Sequence, residues 1–168
     1  MKHSLLWKPR SIVPTLLVTL ISAACLRANS TYTVEYPQGY RKWTHVMSYV
    51  IGPQAPGYEK NGGLHHFYAN DKAVEGYRTG KFPDGSMLVD ERNKAEEKSG
   101  KTTGGDWIGI GVMVKDSQRY AETGGWGFEV FTAGNPTNGW LTTDSRQGCF
   151  NCHAKQKDRD FVFSQLRK

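Results

Sequence analysis

The chain is organised around five residues near its C-terminus, Cys149-Phe150-Asn151-Cys152-His153. This Cys-x-x-Cys-His pattern is typical of a c-type haem attachment site. Two thiols three positions apart on one helical turn can each form a thioether with one of the two vinyl groups of a porphyrin. The imidazole of the next residue then lies under the ring, where it becomes the proximal ligand of the iron. The pattern therefore predicts one covalent haem c, attached to Cys149 and Cys152 and ligated by His153.

Two other kinds of site share part of this pattern. A thioredoxin-like redox pair also uses Cys-x-x-Cys, but it belongs to a βαβ unit and gives the following histidine no special role. A structural zinc site needs four nitrogen or sulfur ligands, and no second Cys-x-x-Cys or His-x-His pair is present to complete one. Haem attachment is the interpretation that uses all three residues, and the other two stay as alternatives.

The N-terminus has the features of a secretory signal. Three basic residues precede an apolar segment over Ile12–Ile21, and Ser22-Ala23-Ala24 offers small residues for cleavage. We expect residues 1–24 to be removed, or residues 1–28 if cleavage follows Ala28 instead. The apolar segment is too short to span a bilayer. A lipoprotein at Cys25 is less favoured, because Ser22 occupies a position that is usually aliphatic. These features predict a periplasmic protein.

Length and charge describe the rest of the chain. Its 168 residues suit one domain, which we place at residues 29–168. Removal of residues 1–24 takes away three basic residues and no acidic ones, so the net charge falls from +6 to +3. No basic stripe argues for nucleic acid, and no membrane span is expected. With Cys25 at the signal's edge and the other two cysteines in the haem motif, no pair is left for a disulfide.

Five stretches have the alternation, or the β-branched and aromatic content, of half-buried strands. They are Thr44–Ile51, Leu64–Ala69, Ser86–Glu91, Trp107–Lys115 and Trp126–Thr132. In the first stretch, alternation places His45, Met47, Tyr49 and Ile51 on one face.

Two helices are predicted from their caps. Asn70 or Asp71 can cap a short helix that runs through Arg78, and Thr143 or Asp144 can cap the helix that carries the haem motif.

The remaining segments complete the predicted fold. Residues 92–105 are charged and glycine-rich, which predicts an exposed loop, and Asp160–Phe163 is expected to return as an extended segment. The strands and helices together predict an α+β fold, mainly an antiparallel β-sheet with short helices and a C-terminal haem-attachment helix.

Opposite His153, the iron's other axial position decides the class of cytochrome. An electron-transfer cytochrome has a Met or His as sixth ligand, whereas a ligand-binding or catalytic one leaves that position open. The candidates after residue 28 are His45, His65, His66, Met47, Met87 and Met113. His65 and His66 are consecutive on a strand, so at most one of them can address the haem. The residues alone leave the coordination number open.

Further short blocks have counterparts, in the same order, in one protein family. They are Tyr40-Arg41-Lys42-Trp43, Phe82-Pro83-Asp84-Gly85, Val114-Lys115-Asp116-Ser117, Gly124-Gly125-Trp126-Gly127-Phe128 and Lys157-Asp158-Arg159-Asp160-Phe161-Val162-Phe163. On these blocks and the haem motif, essentially the whole chain after the signal resembles the cytochrome P-460 family, which includes cytochrome c′-β. The resemblance implies a largely β fold, a homodimer, one haem with a proximal histidine, and a distal site open to small molecules.

The chain departs from the enzyme of that family at two positions. Cytochrome P-460 has a lysine cross-linked to the porphyrin and a distal glutamate that assists hydroxylamine oxidation, whereas cytochrome c′-β lacks the cross-link and binds nitric oxide in an apolar pocket. In this chain Asp90 takes the lysine's place and Gly111 the glutamate's, so neither the amine nor that proton acceptor is present. A distal arginine of the enzyme maps close to His65. The resemblance therefore implies a distal pocket that holds His65, Phe67, Asp90 and Met113.

Three functions follow as hypotheses. The first is an exported mono-haem cytochrome that binds nitric oxide, carbon monoxide or a similar small ligand at an open iron site. The second is an oxidoreductase acting on hydroxylamine or nitric oxide, with Asp90 or Glu91 as proton acceptor. The third is an electron carrier that docks an acidic redox partner through Lys155, Lys157 and Arg159.

Overall fold

The structure is a computed structural model that describes residues 32–135 and 138–167. The strands are β1 (Thr44–Ile51), β2 (Gly63–Ala69), β3 (Met87–Lys98), β4 (Lys101–Lys115) and β5 (Trp126–Thr132). The α-helices are α1 (Tyr58–Asn61), α2 (Asp71–Thr79) and α3 (Thr143–His153), and short 3₁₀ helices lie at Tyr40–Lys42, Ala121–Thr123 and Ala154–Arg159. The predicted signal, residues 1–24, lies outside the described residues. No helix of the described part is long and apolar enough to cross a membrane.

The five strands form one antiparallel sheet in chain order, β1-β2-β3-β4-β5. Each strand pairs with the next one along the chain, so the connections are short and α1 and α2 fill two of them. The predicted α+β fold, an antiparallel sheet with short helices and a C-terminal helix, is confirmed.

Alternation along the strands builds a separate core on each face of the sheet. Leu88 joins Phe128 and Val162 on the face that α2 and α3 cover, which we call the helical face. Its neighbour Val89 joins the opposite core with Tyr40. The helical face is therefore the one against which the haem motif packs.

A bulge in β1 overturns part of the predicted facing pattern. The pairing register shifts between His45 and Met47, so His45 lies opposite Tyr68 while Met47 lies opposite Phe67. Because Phe67 and Tyr68 are consecutive and point to opposite faces, His45 leaves the face that Met47 occupies. The prediction that these two side chains share a face is wrong.

The predicted loop over residues 92–105 is instead a hairpin. β3 and β4 continue to pair with each other as far as Lys98 and Lys101. The turn residues Ser99 and Gly100 both have positive φ, 53° and 73°, as two-residue hairpin turns require. Ser99 is an uncommon residue in that conformation, so the sequence carried no strong turn signal there.

The helix caps are close to the predictions. The Asn70 side chain accepts a hydrogen bond from the Ala73 amide and so caps α2, as predicted. For α3 the cap is Thr142, whose Oγ1 accepts from the Ser145 amide, and the helix begins one residue earlier than a Thr143 cap implies and two earlier than an Asp144 cap implies.

Candidate haem site

A largely apolar cleft, of about 620 Å³ when the open solvent at its mouth is included, lies between the helical face of the sheet, α3 and the segment that follows it. Cys149 and His153 line it from α3, where their spacing of one helical turn puts them on the same side. Phe67, Asp90 and Met113 line it from the sheet. The structure therefore brings two of the three functional residues of the predicted haem motif and three of the predicted distal residues to one cavity, while Cys152 is not among the lining residues.

His153, the predicted proximal ligand, has a defined ring orientation and tautomer. Nδ1 of His153 lies 2.7 Å from the carbonyl oxygen of Phe161. Since a carbonyl only accepts, Nδ1 carries the proton, and Nε2 is left with the lone pair that a metal needs. The ring packs between Phe128 and Phe163, whose centroids are 5.1 and 5.0 Å away.

Burial also favours the neutral form of this imidazole. It lowers the pKa of His153, and the hydrogen bond to Phe161 only partly opposes the effect. Metals bind neutral imidazole, so the environment matches the role of a ligand. Neither cysteine of the motif is in a disulfide, with Cys149 facing the cavity and Cys152 exposed. The donor set and the cleft thus fit a haem held as the motif predicts.

The segment after the haem-motif helix turns sharply at two consecutive residues. Asp160 and Phe161 both have left-handed φ values, 51° and 66°. The prediction of an extended segment over Asp160–Phe163 is therefore wrong at its first two residues. The turn directs the Phe161 carbonyl back towards His153.

Strand register places the distal candidates in one row across the sheet. Phe67 of β2 pairs with Asp90 of β3, which pairs with Gly111 of β4. A Cβ at Gly111 would meet only the Cβ of Asp90, at an ordinary 3.9 Å. The glycine therefore leaves open space beside Asp90, where a larger side chain would enter the cavity.

His65 is buried behind this row and is not among the residues that line the cavity. Its Nδ1 lies 2.9 Å from Oδ1 of Asp90, and its Nε2 lies 2.9 Å from the carbonyl oxygen of Asn61. Both nitrogens thus face acceptors, an arrangement that satisfies the doubly protonated ring. Burial acts to lower the pKa of His65, but the hydrogen bond and charge of Asp90 outweigh it, and the pKa is raised. His65 thus holds Asp90 in place with one ring nitrogen, while the Asn61 carbonyl engages the other.

Glu91, the other acidic residue considered for catalysis, faces the opposite side of the sheet. Its carboxylate accepts from the Arg41 guanidinium, with Nε of Arg41 3.0 Å from Oε1. Asp90 is therefore the carboxylate of this pair that reaches the cavity.

The other candidate axial ligands are dispersed. His45 and His66 lie on the face opposite the helices, bridged by the Ser48 hydroxyl at 2.8 and 2.7 Å. Met87 packs in the core of that same face. Within the described residues, Met113 is the methionine that lines the cavity.

Sequence reasoning missed one ion pair at the cavity, in which Glu129 lines the wall and Arg146 lies behind it. The buried Glu129 carboxylate accepts from the Leu141 amide at 2.8 Å and from Nη2 of Arg146 at 2.6 Å. Arg146 lies on α3 about one turn before Cys149, so the pair ties the haem helix to β5. The signal that could have revealed this pair is the spacing of Arg146 and Cys149, which are three positions apart and so lie on the same side of α3.

Comparison with known proteins agrees with this geometry. The family description Cytochrome P460 matches residues 37–164, which include all five strands, α3 and the haem motif. A search of curated proteins found no match. The resemblance drawn from the short sequence blocks is confirmed. The chain belongs to the cytochrome P460 family of haem-binding cytochromes.

Proposed function

We propose that this protein is an exported c-type cytochrome with one covalent haem, which binds a small neutral molecule such as nitric oxide or carbon monoxide. The observation that carries the proposal is the position of His153. Its neutral ring lines the cleft with Nδ1 donating to the Phe161 carbonyl, while the sheet residues that line the same cleft are mainly apolar.

The residues have separate tasks in this proposal. Cys149 and Cys152 hold the porphyrin, and Nε2 of His153 is the proximal ligand. The haem supplies an iron centre that binds small molecules and exchanges single electrons. Phe67 and Met113 keep water away from the distal side, because apolar side chains offer a water molecule no hydrogen bonds. Gly111 leaves space for a ligand of a few atoms.

The choice of a neutral ligand rests on the charge of the distal wall. Asp90 contributes a carboxylate to the cavity. Glu129 also lines it but is paired with Arg146, and Cys149 is assigned to the haem. Of the paired charges of His65 and Asp90, the carboxylate is the one that lines the cavity, so it disfavours anions there, whereas nitric oxide and carbon monoxide carry no charge to repel.

The experiment is purification from a host with working cytochrome maturation, followed by intact mass and absorption spectra. We expect the mass of the polypeptide plus one haem, and a reduced spectrum that carbon monoxide changes without a slow displacement step. A Cys149→Ala/Cys152→Ala variant is the control that should lose the covalent haem. A colourless wild-type protein with the mass of its amino acids alone would contradict the proposal. A reduced spectrum unaffected by carbon monoxide would contradict the open distal site and favour an electron carrier.

A second function, oxidation of hydroxylamine or reaction with nitric oxide, is favoured by one observation. Asp90 lies in the cavity and is held there by His65, so it can accept a proton from a bound molecule. The test is turnover with an electron acceptor in the wild type and in Asp90→Asn. Loss of about two orders of magnitude in the variant would support an acceptor role, and no turnover in the wild type would exclude this function.

Cellular context completes the proposal. The predicted signal favours the periplasm, and the resemblance to the family favours a homodimer. For a redox partner, Lys155 and Lys157 are exposed beside the motif. Arg159 is engaged elsewhere, because its Nη2 donates to the Ser164 carbonyl at 2.9 Å. Docking of an acidic protein would therefore depend on the two lysines.

A further inference from the structure

A buried ion pair lies at the turn that follows the haem helix. Nζ of Lys115, at the end of β4, is 2.7 Å from Oδ1 of Asp160, and both residues are buried. A buried ion pair brings little net stability, since the loss of hydration offsets most of the attraction between the charges. A role in placing a neighbouring group is therefore a better explanation for it than stability alone.

Asp160 is held from three directions. Its Oδ2 accepts from the Phe82 amide at 2.8 Å, and its carbonyl oxygen accepts from Nε1 of Trp126 at 2.8 Å. Lys115 is itself oriented, since Nζ also donates to the Gly124 carbonyl at 3.0 Å and lies over the Trp126 ring. Asp160 thus has its position determined by β4, by β5 and by the segment before β3.

The backbone at this point adopts a conformation that needs such support. Left-handed φ values are unfavourable for residues other than glycine, and here Asp160 and Phe161 both have them in succession. Conformations of this kind persist where the surroundings impose them. The left-handed turn places the Phe161 carbonyl oxygen 2.7 Å from Nδ1 of His153, which donates a hydrogen bond to it.

We propose that Lys115 and Asp160 are positioning residues for the proximal ligand, because they hold the Phe161 carbonyl on His153 and thereby set the strength of the histidine–iron bond. This inference rests on the proposed function, in which His153 ligates a haem iron. A hydrogen bond from Nδ1 increases the basicity of Nε2. A more basic ligand stabilises the ferric state, so a loosened turn raises the reduction potential and weakens the bond.

The test compares the wild type with Asp160→Asn, which keeps the shape of the side chain and removes its charge. We expect the haem to remain attached, the iron–histidine stretching band of the ferrous protein to move to lower wavenumber, and the midpoint potential to rise. Asp158→Asn is the matched control, since this acidic residue is two positions away in the same segment and exposed. It should leave both quantities unchanged.

A second variant guards against loss of folding. Lys115→Met/Asp160→Asn leaves no unpaired charge in the core but still lacks the ion pair. It should show the same two shifts. Wild-type values of both quantities in the two haem-loaded variants would overturn the inference. A wild-type protein that carries no haem would overturn the proposed function first, and this inference with it.

Discussion

His65 donates a hydrogen bond from Nδ1 to the carboxylate of Asp90, at 2.9 Å to Oδ1 and 3.0 Å to Oδ2. The donor is buried, while one third of the acceptor side chain is exposed. The contact joins the adjacent strands β2 and β3. It links the buried imidazole to a carboxylate in the cavity wall. Tyr49 stacks on the imidazole at 4.9 Å between centroids and shields it further. Asp90 therefore has a defined orientation before any ligand arrives.

Replacement of His65 should change how stability depends on pH. The pKa of His65 is raised above its ordinary 6.5, so the protonated ring stabilises the folded state. That contribution is fully present below the unfolded-state pKa and is lost as the pH rises through the higher folded-state pKa. The difference in unfolding free energy between wild type and His65→Gln should thus be largest in mild acid and shrink towards high pH.

Urea unfolding at a series of pH values, roughly pH 5 to pH 9, measures this difference. His66→Gln is the matched control, because His66 neighbours His65 in sequence but lies on the opposite face of the sheet. A constant difference between wild type and His65→Gln across that range would show that His65 is not bound as a cation.

Removal of the Asp90 charge should separate ligand binding from proton transfer. Asp90→Asn keeps the size of the side chain but cannot accept a proton at neutral pH. We expect carbon monoxide to bind the reduced variant within a few-fold of wild type, since a neutral diatomic molecule has no proton to give. Anions such as azide should bind the ferric variant roughly tenfold more tightly, because the repelling charge is gone. Titrations followed by absorption give both constants, and equal azide affinities would refute a charged distal wall.

Two glycines of β4 should differ in how much stability the protein loses when each is replaced by alanine. At Gly111 the added methyl makes only an ordinary contact with Asp90, so Gly111→Ala should change the unfolding free energy by less than about 1 kcal/mol. At Gly109 the backbone has φ of 154°, and a Cβ would collide with the Phe131 carbonyl. Gly109→Ala should cost about 2 kcal/mol or more. Chemical denaturation of both variants tests the contrast, and equal costs would contradict the described register.

The buried Glu129–Arg146 pair should matter far more than an exposed pair. Arg146→Met leaves the Glu129 carboxylate buried without its counter-ion, which typically costs about 3–5 kcal/mol. Asp106→Asn breaks the exposed Lys94–Asp106 pair and should leave the unfolding temperature almost unchanged, because water screens both charges. Thermal unfolding of the two variants measures the costs. A similar small loss in both would mean that the pair does not tie α3 to β5.

Local sequence patterns were enough to predict the parts of this protein that depend on the repeat of a helix or a strand. The spacing of Cys149, Cys152 and His153 sets their relation on one helix, whatever the rest of the chain does. Alternation likewise predicted the strand Thr44–Ile51 with its observed bounds. The same rule failed at His45, because a bulge adds a residue that alternation cannot anticipate.

The amino-acid sequence by itself determined the haem motif, the sheet and the family. The tertiary structure alone decided the partners of the site: Asp90 for His65, the Phe161 carbonyl for His153, and Lys115 for Asp160 across 45 positions. The physical reason is that helical and strand periods act over a few residues. Which polar groups meet depends instead on strand register and on a left-handed turn, and those are set by packing throughout the domain.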